Sequence, residues 1–185
     1  MARIDALFNL MFEQKASDLH LSSGNPPILR INGEPVPTPQ TLRSLFATVL
    51  SDYHLFSRAY GIPEPDRKQV EALLSRMGLA GKTVWRDGGF STLALSSGQR
   101  KRLALILAIL EDRPILVFDE WAADQDPKFR RVFYEEILPD LRAAGKTVIA
   151  VTHDEKYFGH ADRHLYMSEG LIAEIAKGGE PKYGG

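Results

Sequence analysis

The stretch ILVFDE at residues 115–120 decides the fold. Its run of apolar residues is typical of a short strand that is buried on both faces, as in a parallel sheet. Asp119 and Glu120 follow this strand directly. Ligands of open α/β sheets bind outside the carboxyl ends of the strands, and there Asp119 can hold a magnesium ion. Glu120 can orient or deprotonate an attacking water. Solvated acids at a strand end are an equally good interpretation of this stretch alone.

A second apolar strand with a polar end is predicted further along the chain. Residues 147–151 read TVIAV, and His153 follows them. We expect this strand to be buried and His153 to lie at the same sheet edge as Glu120, where an imidazole can contact a terminal phosphate and the water. A lone histidine at a strand end is more often structural. Helical patterns at residues 99–111 and 129–143 alternate with the strands, which predicts a parallel sheet with crossover helices.

Two loops flank the first of these strands in the sequence, and the first loop can hold a phosphate. Residues 95–99 read LSSGQ and run directly into a helix, whose unpaired amides and dipole can hold a phosphate. An ordinary serine N-cap is the alternative. Residues 123–127 form a loop in which Asp126 is either a site residue or the N-cap of the helix that contains Phe129.

In this order and spacing, the motifs resemble the second half of an ABC transporter nucleotide-binding domain. Residues 95–99 are similar to the LSGGQ-type signature, with Ser97 in place of its first glycine. The resemblance implies that Asp119 is the Walker B metal ligand, Glu120 the catalytic base and His153 the switch histidine. It also implies nucleotide contacts from signature and D-loop residues, namely Ser96, Ser97, Gly98, Gln99 and Asp126.

Two segments are similar to the branch that exports cyclic peptides and siderophores. They are DEWAADQDP at residues 119–127 and SDYHLF at residues 51–56, where Ser51 stands at the position of the Q-loop glutamine. This resemblance implies ATP and Mg²⁺ as cofactors, a head-to-tail dimer partner and a transmembrane exporter subunit. It places the protein in the cytoplasm, peripheral at the inner membrane through that partner.

The phosphate-cradling loop of such a domain has the pattern G-x-x-x-x-G-K-[ST], and no segment of the sequence matches it. The GKT triplets at residues 81–83 and 145–147 have Arg76 and Asp140 where the first glycine belongs. We therefore predict an α/β fold: an incomplete P-loop NTPase-like (ABC) domain with a parallel sheet core at residues 38–185. A chain of this kind is expected to bind and hydrolyse ATP poorly by itself.

The N-terminal residues 1–37 form a different pattern. Residues 4–12 have the spacing of an amphipathic helix, and a strand hairpin is predicted after them. Residues 16–33 resemble the start of type IV pilus retraction ATPases, although a simple helix–hairpin cap is an equally good interpretation. Residues 34–40 contain three prolines and are predicted to be a linker. Two incomplete modules in one chain suggest a fusion.

The amino-acid composition and net charge argue against some classes of function. The net charge of −1, from 23 basic and 24 acidic side chains, gives no electrostatic reason to expect a nucleic-acid ligand. The sequence has no cysteine, which excludes disulfides and thiolate chemistry. The leading hypothesis is an ATP-binding and ATP-hydrolysing exporter subunit. The alternatives are a non-hydrolysing module that pairs with a complete ABC subunit, and a non-functional fusion fragment.

Overall fold

The computed structural model describes residues 44–51 and 53–168, with side chains described as far as residue 165. Four further strands are described by their backbone: β1 (Ala16–His20), β2 (Ile28–Ile31), β3 (Glu34–Pro37) and β10 (Leu171–Ile175). The helix predicted at residues 4–12 lies outside the described residues. No helix in the described part of the chain is long and apolar enough to cross a membrane.

A three-stranded parallel sheet lies at the centre of the described fold. Its strands are β4 (Phe46–Val49), β7 (Ile115–Asp119) and β8 (Thr147–Val151), in the order β4-β7-β8. Ile115 is in register with Phe46 on one side and with Thr147 on the other. This confirms the predicted parallel core.

The helices that connect these strands pack on one face of the sheet. They are α1 (Arg67–Arg76), α2 (Ser97–Leu110), α3 (Pro127–Val132) and α4 (Leu138–Ala143), with a π-helical turn at Phe133–Ile137 between the last two. The chain passes from β4 to β7 and from β7 to β8 in the same direction across the sheet. When both crossovers are right-handed, their helices lie on the same face. The main core lies there: Leu116 and Phe118 of β7 pack with Leu105 and Phe133.

Short elements complete the described region. A hairpin of β5 (Trp85–Arg86) and β6 (Gly89–Phe90) lies between α1 and α2. Its turn is Asp87-Gly88, with positive φ at both residues, as two-residue hairpins prefer. Turns of 3₁₀-helix span Trp121–Asp124 and Glu155–His160. Strand β9 (His164–Ser168) pairs antiparallel with β10.

Two sequence-based predictions are wrong in detail. Residues 34–40 are predicted to be a linker, but Glu34–Pro37 forms β3, paired antiparallel with β2. Prolines are tolerated there because β3 is at the edge of its sheet. Strand β8 is predicted to be buried, yet Ala150 and Val151 are exposed. Its apolar pattern is the same as that of a central strand, but β8 has no described neighbour on its second side.

Candidate functional site

Polar residues from all three parallel strands meet at the carboxyl edge of the central sheet. Ser51 follows β4, Asp119 ends β7 and Glu120 follows it, and His153 follows β8. The Ser51 hydroxyl donates to Asp119 Oδ2 at 3.0 Å, and its backbone N–H lies 3.4 Å from the same oxygen. Nε2 of His153 lies 3.2 Å from Oε1 of Glu120. The strands therefore bring together the predicted metal ligand, base and switch histidine.

The Glu120 backbone is held in an uncommon conformation. Its φ of 48° and ψ of 30° are left-handed, which costs a non-glycine residue about 1–2 kcal/mol. The Glu120 N–H donates to the Val151 carbonyl at 3.1 Å. The Glu120 carbonyl accepts from the Ala123 N–H at 3.2 Å and from the Lys101 ammonium at 3.1 Å. These bonds fix the turn that aims the carboxylate at the sheet edge.

Lys101, on the helix that follows the signature, anchors this turn from within the core. The residue is 3% exposed, and its Nζ lies 2.8 Å from Asp124 Oδ2. Its backbone carbonyl accepts from the Trp121 indole N–H at 3.0 Å. The Trp121 ring stacks on Phe133, with the centroids 4.2 Å apart. One residue of α2 thus holds both ends of the segment that follows β7.

Glu120 and His153 differ in their surroundings. The Glu120 side chain is 30% exposed and the His153 side chain 95% exposed. Oε1 of Glu120 is buried and has no hydrogen-bond partner within the described residues, although Nε2 of His153 lies 3.2 Å from it. A buried carboxylate oxygen without a donor is costly, so this atom is able to accept a hydrogen bond from a ligand or a water.

A network behind His153 holds the two residues that flank it. The Tyr134 hydroxyl donates to Thr152 Oγ1 at 2.7 Å and lies 3.4 Å from Asp154 Oδ2. Burial raises the pKa of Tyr134 to about 12, so it remains a donor across the physiological range. Arg130 pairs with Asp154 at 3.0 Å and also donates to the carbonyl of Ala123 at 3.3 Å. Arg130 therefore joins the segment after β8 to the loop at residues 123–127.

The signature segment forms a capped helix start. Ser96 is the N-cap of α2: its hydroxyl accepts from the Gln99 N–H at 3.3 Å, and its own N–H donates to Gln99 Oε1 at 3.2 Å. The ordinary N-cap predicted as the alternative is thus present. The first intrahelical bond runs from the Arg100 N–H to the Ser96 carbonyl, so the amides of Ser97 and Gly98 precede it.

Gly98 is required where α2 approaches the D-loop. A Cβ on this residue would lie 2.7 Å from the Asp124 carbonyl oxygen. The side-chain amide of Gln125 donates to the Gly98 carbonyl at 3.2 Å. The signature and the D-loop are therefore packed as one unit. Within the described residues, no hydrogen bond or ion pair joins Ser96 or Gln99 to Asp119 or His153.

Asp126 acts structurally as the N-cap of α3. Its carboxylate accepts from the Phe129 N–H at 3.0 Å and pairs with Arg102 at 2.7 Å. The Phe129 N–H, and after it Arg102, lower the pKa of Asp126 below its usual value. The Arg102 guanidinium also lies 3.6 Å from the centroid of the Phe129 ring. The N-cap alternative is present here too, and a nucleotide-binding role for Asp126 remains a prediction.

Sequence reasoning missed Lys101 and Arg130, which organise the site. Both lie on predicted helices, where a basic residue is usually solvated. One signal was available for Lys101. It lies three and four positions before Ala104 and Leu105, so it shares one face of the helix with these apolar residues. No local sequence pattern marks Arg130. Its partner Asp154 is 24 positions away, and its contact with Ala123 is to the backbone carbonyl.

The ABC transporter family model matches residues 16–123, which is more than half of the chain. The chain belongs to the ABC transporter family. The ATP-binding protein SyrD of Pseudomonas syringae pv. syringae is 52% identical over 139 residues, which are 73% of this chain and 25% of that protein. The ATP-dependent lipid A-core flippase of Burkholderia orbicola (strain AU 1054) is 34% identical over 145 residues, which are 72% of this chain and 24% of the flippase. The chain thus spans about a quarter of the length of these relatives.

Solved ABC structures share the fold. A bacterial Atm1-family ABC exporter with ATP bound superposes with a TM-score of 0.61 at 26% identity, covering 82% of this chain and 29% of that one. A dimeric ATP-binding cassette bound to ADP and phosphate gives 0.60 at 20% identity, covering 86% and 77%. The ABC assignment predicted from residues 95–154 is confirmed. The resemblance of residues 1–37 to pilus retraction ATPases is not supported, and the ABC family match begins inside that segment, at residue 16.

Proposed function

We propose that this chain acts in an ABC-type exporter as the part of the ATP-binding subunit that carries the signature helix, the Walker B acids and the switch histidine. The observation that carries the proposal is the 3.2 Å approach of His153 to Glu120, next to Asp119, at the carboxyl edge of a parallel sheet. These three functional residues all lie in the second predicted domain, residues 38–185. Parallel sheets bind their ligands at this edge.

Glu120 is proposed as the base for the attacking water, and His153 as the contact to the terminal phosphate. The Glu120 side chain is 30% exposed at this edge, so its carboxylate can accept a hydrogen bond from a water. His153 is exposed and can reach a phosphate oxygen beside that water. Lys101 and the Val151 carbonyl keep the base in place before any nucleotide binds.

Asp119 and Ser51 are proposed to hold Mg²⁺. Their oxygens lie 3.0 Å apart and are the hard donors that this ion prefers. No group of three carboxylate or histidine side chains gathers for a metal within the described residues. Such a group is not needed, because magnesium in nucleotide sites takes one or two protein ligands together with waters and phosphates. When bound, the ion neutralises charge on the phosphates.

The signature helix is proposed to contact nucleotide held by a head-to-tail partner. Ser96 and Ser97 are exposed, and the amides of Ser97 and Gly98 precede the first intrahelical bond. These amides and the helix dipole favour an anion. Gln99 takes part by holding Ser96 in the capping box, and Asp126 by fixing the D-loop through Arg102.

The missing P-loop pattern is proposed to make the isolated chain a poor ATP binder. A P-loop supplies several charge-assisted hydrogen bonds to the phosphates, each worth about 1.5–3 kcal/mol. Each 1.4 kcal/mol is about tenfold in affinity, so the loss amounts to several orders of magnitude. We expect weak binding of MgATP and slow hydrolysis that depends on Glu120.

The transported molecule is proposed to be a peptide or siderophore, on the resemblance of residues 119–127 and 51–56 to that exporter branch. A transmembrane exporter subunit would hold the protein at the cytoplasmic face of the inner membrane. Three aromatic side chains after the Ser51 position offer a contact surface for it. His54 and Phe56 lie 4.5 Å apart between ring centroids, and Phe56 and Tyr60 5.9 Å. Phe56 is 54% exposed and Tyr60 74%.

The proposal is tested by phosphate release from MgATP at high protein concentration. We expect slow release by the wild-type chain, its loss in Glu120→Gln, and its retention in Glu136→Gln, which makes the same change at an exposed helix position. Equal phosphate release by the wild type and Glu120→Gln would show that Glu120 is not the base for the attacking water. No release by the wild type would contradict hydrolysis by this chain and favour the second candidate.

The second candidate is a non-hydrolysing module that pairs with a complete ABC subunit. The exposed start of α2 at Ser96 and Ser97 favours it, since a signature helix can serve a partner's nucleotide without a P-loop of its own. Co-purification with a P-loop-bearing ABC subunit, lost in Ser97→Glu but not in Glu136→Gln, is the expected result. Failure to associate with any such subunit would contradict this candidate. A non-functional fusion fragment would show neither hydrolysis nor association.

A further inference from the structure

The side chain of His153 is exposed, so its direction depends on the backbone that carries it. Within the described residues, its one polar side-chain contact is the 3.2 Å approach of Nε2 to Oε1 of Glu120. Exposed side chains change rotamer rapidly, and a single contact does not prevent this. The imidazole therefore meets Glu120 reliably only if the backbone on either side of His153 is fixed.

One buried tyrosine contacts both neighbours of His153. The Tyr134 hydroxyl donates to Oγ1 of Thr152 at 2.7 Å and lies 3.4 Å from Oδ2 of Asp154. The same Oγ1 accepts from the Asp154 N–H at 3.1 Å, so it joins the residue before His153 to the residue after it. Burial is the main cause that raises the pKa of Tyr134 to about 12, so the hydroxyl keeps its proton at neutral pH.

Tyr134 lies in the π-helical turn between α3 and α4. The turn spans Phe133–Ile137, and turns of this kind are rare and are often found at functional sites. Pro139 follows two residues after it and has no N–H, and a proline ring collides with the carbonyl four positions earlier, here that of Glu135. The regular α-helical ladder is therefore interrupted at this turn, and its first two residues are both buried.

The two aromatic residues that begin the π-helical turn support the two halves of the site. Phe133 stacks on Trp121, which directly follows Glu120, with the ring centroids 4.2 Å apart. Tyr134 bonds to the segment that carries His153. The rings of Phe133 and Tyr134 are themselves in edge contact, with centroids 5.1 Å apart. Adjacent residues of one turn thus pack beneath the proposed base and beneath the histidine.

We propose that Tyr134 is a positioning residue for hydrolysis: its hydroxyl, through Thr152 and Asp154, keeps His153 against Glu120. The proposal rests on the proposed function, in which Glu120 activates the water and His153 contacts the terminal phosphate. Tyr134 is 5% exposed, so it acts through the loop and not on a ligand. Holding reacting groups in the correct geometry supplies a large part of a catalysed rate, and small misplacements are costly.

Nuclear magnetic resonance of the full chain without nucleotide tests the contact. The signal is the nuclear Overhauser effect (NOE) between the ring protons of His153 and the side-chain protons of Glu120, with the histidine assigned through His153→Gln. We expect this NOE in the wild type and its loss in Tyr134→Phe, which removes only the hydroxyl. Tyr157→Phe is the matched control, because Tyr157 is equally buried and stacks on Tyr134 at 4.2 Å, and its NOE should persist.

Three results of this experiment would overturn the proposal. They are an NOE that survives Tyr134→Phe, an NOE that Tyr157→Phe also abolishes, and the absence of the NOE from the wild type. The first would show that Tyr134 contributes packing alone, and the second that any change beneath the loop displaces the histidine.

A pair of variants at Thr152 tests the same hydrogen bond from the acceptor side. Thr152→Val removes Oγ1 and nearly keeps the shape of the side chain, whereas Thr152→Ser keeps the oxygen. We expect the NOE between His153 and Glu120 to be lost in Thr152→Val and retained in Thr152→Ser. The Asp154 amide, which loses its acceptor, should exchange about tenfold faster in Thr152→Val than in Thr152→Ser. Equal NOEs in the two folded variants would contradict the proposal.

Phosphate release from MgATP separates this proposal from the proposed function. Tyr134→Phe should lower kcat about tenfold and leave KM unchanged, as expected for a lost alignment and not for lost binding. If the NOE depends on Tyr134 but Glu120→Gln releases phosphate as fast as the wild type, the proposed function fails and the positioning of His153 stands. If Glu120→Gln abolishes release but the NOE survives Tyr134→Phe, the reverse holds. An absence of release by the wild type contradicts only the proposed function, because the NOE is measured without nucleotide.

Discussion

The two sides of the carboxyl edge of the central sheet are built differently. On the β7 side, the turn after Asp119 is fixed by a buried lysine, an indole hydrogen bond and a stacked aromatic pair. On the β8 side, the strand is exposed at its end, and the His153 side chain is 95% exposed. The acid is therefore preorganised by residues of this chain. Thr152 and Asp154, which flank His153, are held by Tyr134 and Arg130, and among the described strands none pairs with the far side of β8.

This difference predicts that substitutions on the β7 side reduce stability, whereas those on the β8 side leave the chain folded. Buried groups lose packing and hydrogen bonds that water cannot replace, while an exposed edge is already solvated. The predictions below compare the two sides, beginning with the largest expected change in the free energy of unfolding.

Trp121→Ala should be the most destabilising of these changes. Trp121 is 1% exposed, stacks on Phe133 and donates to the Lys101 carbonyl. Removing the indole leaves a cavity, and losses of about 3–5 kcal/mol are usual for such changes. Urea unfolding measures it. Trp121→Phe keeps most of the packing and should lose less, so equal losses for the two variants would contradict the packing argument.

Lys101→Met should lower the free energy of unfolding by about 1–3 kcal/mol, since the Glu120 carbonyl is left without its charged donor. Asp124 is about half exposed and can be hydrated after the change, which keeps the loss below that of Trp121→Ala. Chemical denaturation measures the stability, and amide exchange at Ala123, whose N–H bonds to the Glu120 carbonyl, reports the turn. Arg131→Met, at an exposed helix position, is the control. Unchanged exchange at Ala123 would show that Lys101 does not hold the turn.

Asp126→Ala should cost about 1 kcal/mol at pH 7, the usual value for a lost N-cap. The folded-state pKa of Asp126 is lowered, so its contribution is present above the unfolded pKa of about 3.9. That contribution is lost as the pH falls through the folded pKa. Unfolding curves for the wild type and Asp126→Ala should therefore converge in acid. A difference in the free energy of unfolding between the wild type and Asp126→Ala that stays constant from pH 7 to pH 2 would rule out the charged cap. Asp126→Asn should retain most of the stability at pH 7.

Val151→Thr should have the smallest effect, within about 0.5 kcal/mol, because the side chain is already half exposed at the end of β8. Val117→Thr is its matched partner on β7, where the side chain is 5% exposed. Burying a hydroxyl without a partner there should cost about 1–3 kcal/mol. Thermal unfolding of both variants gives the comparison. Equal losses would show that the two sides of the sheet are equally buried.

Local patterns were sufficient for the parts of the fold that depend on neighbours in sequence. The run ILVFDE predicted β7 and its acids, and the helical spacing after Ser97 predicted α2. The order of the strands then brought Glu120 and His153 to one edge. The exposure of β8 was not predictable, because residues 147–151 have the apolar pattern of a central strand.

Long-range side-chain contacts were the other part that the sequence could not supply. Lys101 reaches Asp124 and the Glu120 carbonyl across 19 to 23 positions. Arg130 reaches Asp154 across 24 positions. The local pattern of a helix does not specify such partners. The capping bonds of Ser96 and Asp126 are local and were predicted as alternatives, but local geometry does not decide between a cap and a nucleotide contact.

A calorimetric titration of the isolated chain with MgATP tests the central claim most directly, namely that this chain carries the catalytic acid and switch histidine without a phosphate cradle. The account predicts a dissociation constant of about 1 mM or weaker, equivalent to a binding free energy of at most about 4 kcal/mol. Binding at micromolar concentration or below, abolished by Asp119→Asn, would contradict it and would show that other residues of this chain hold the phosphates.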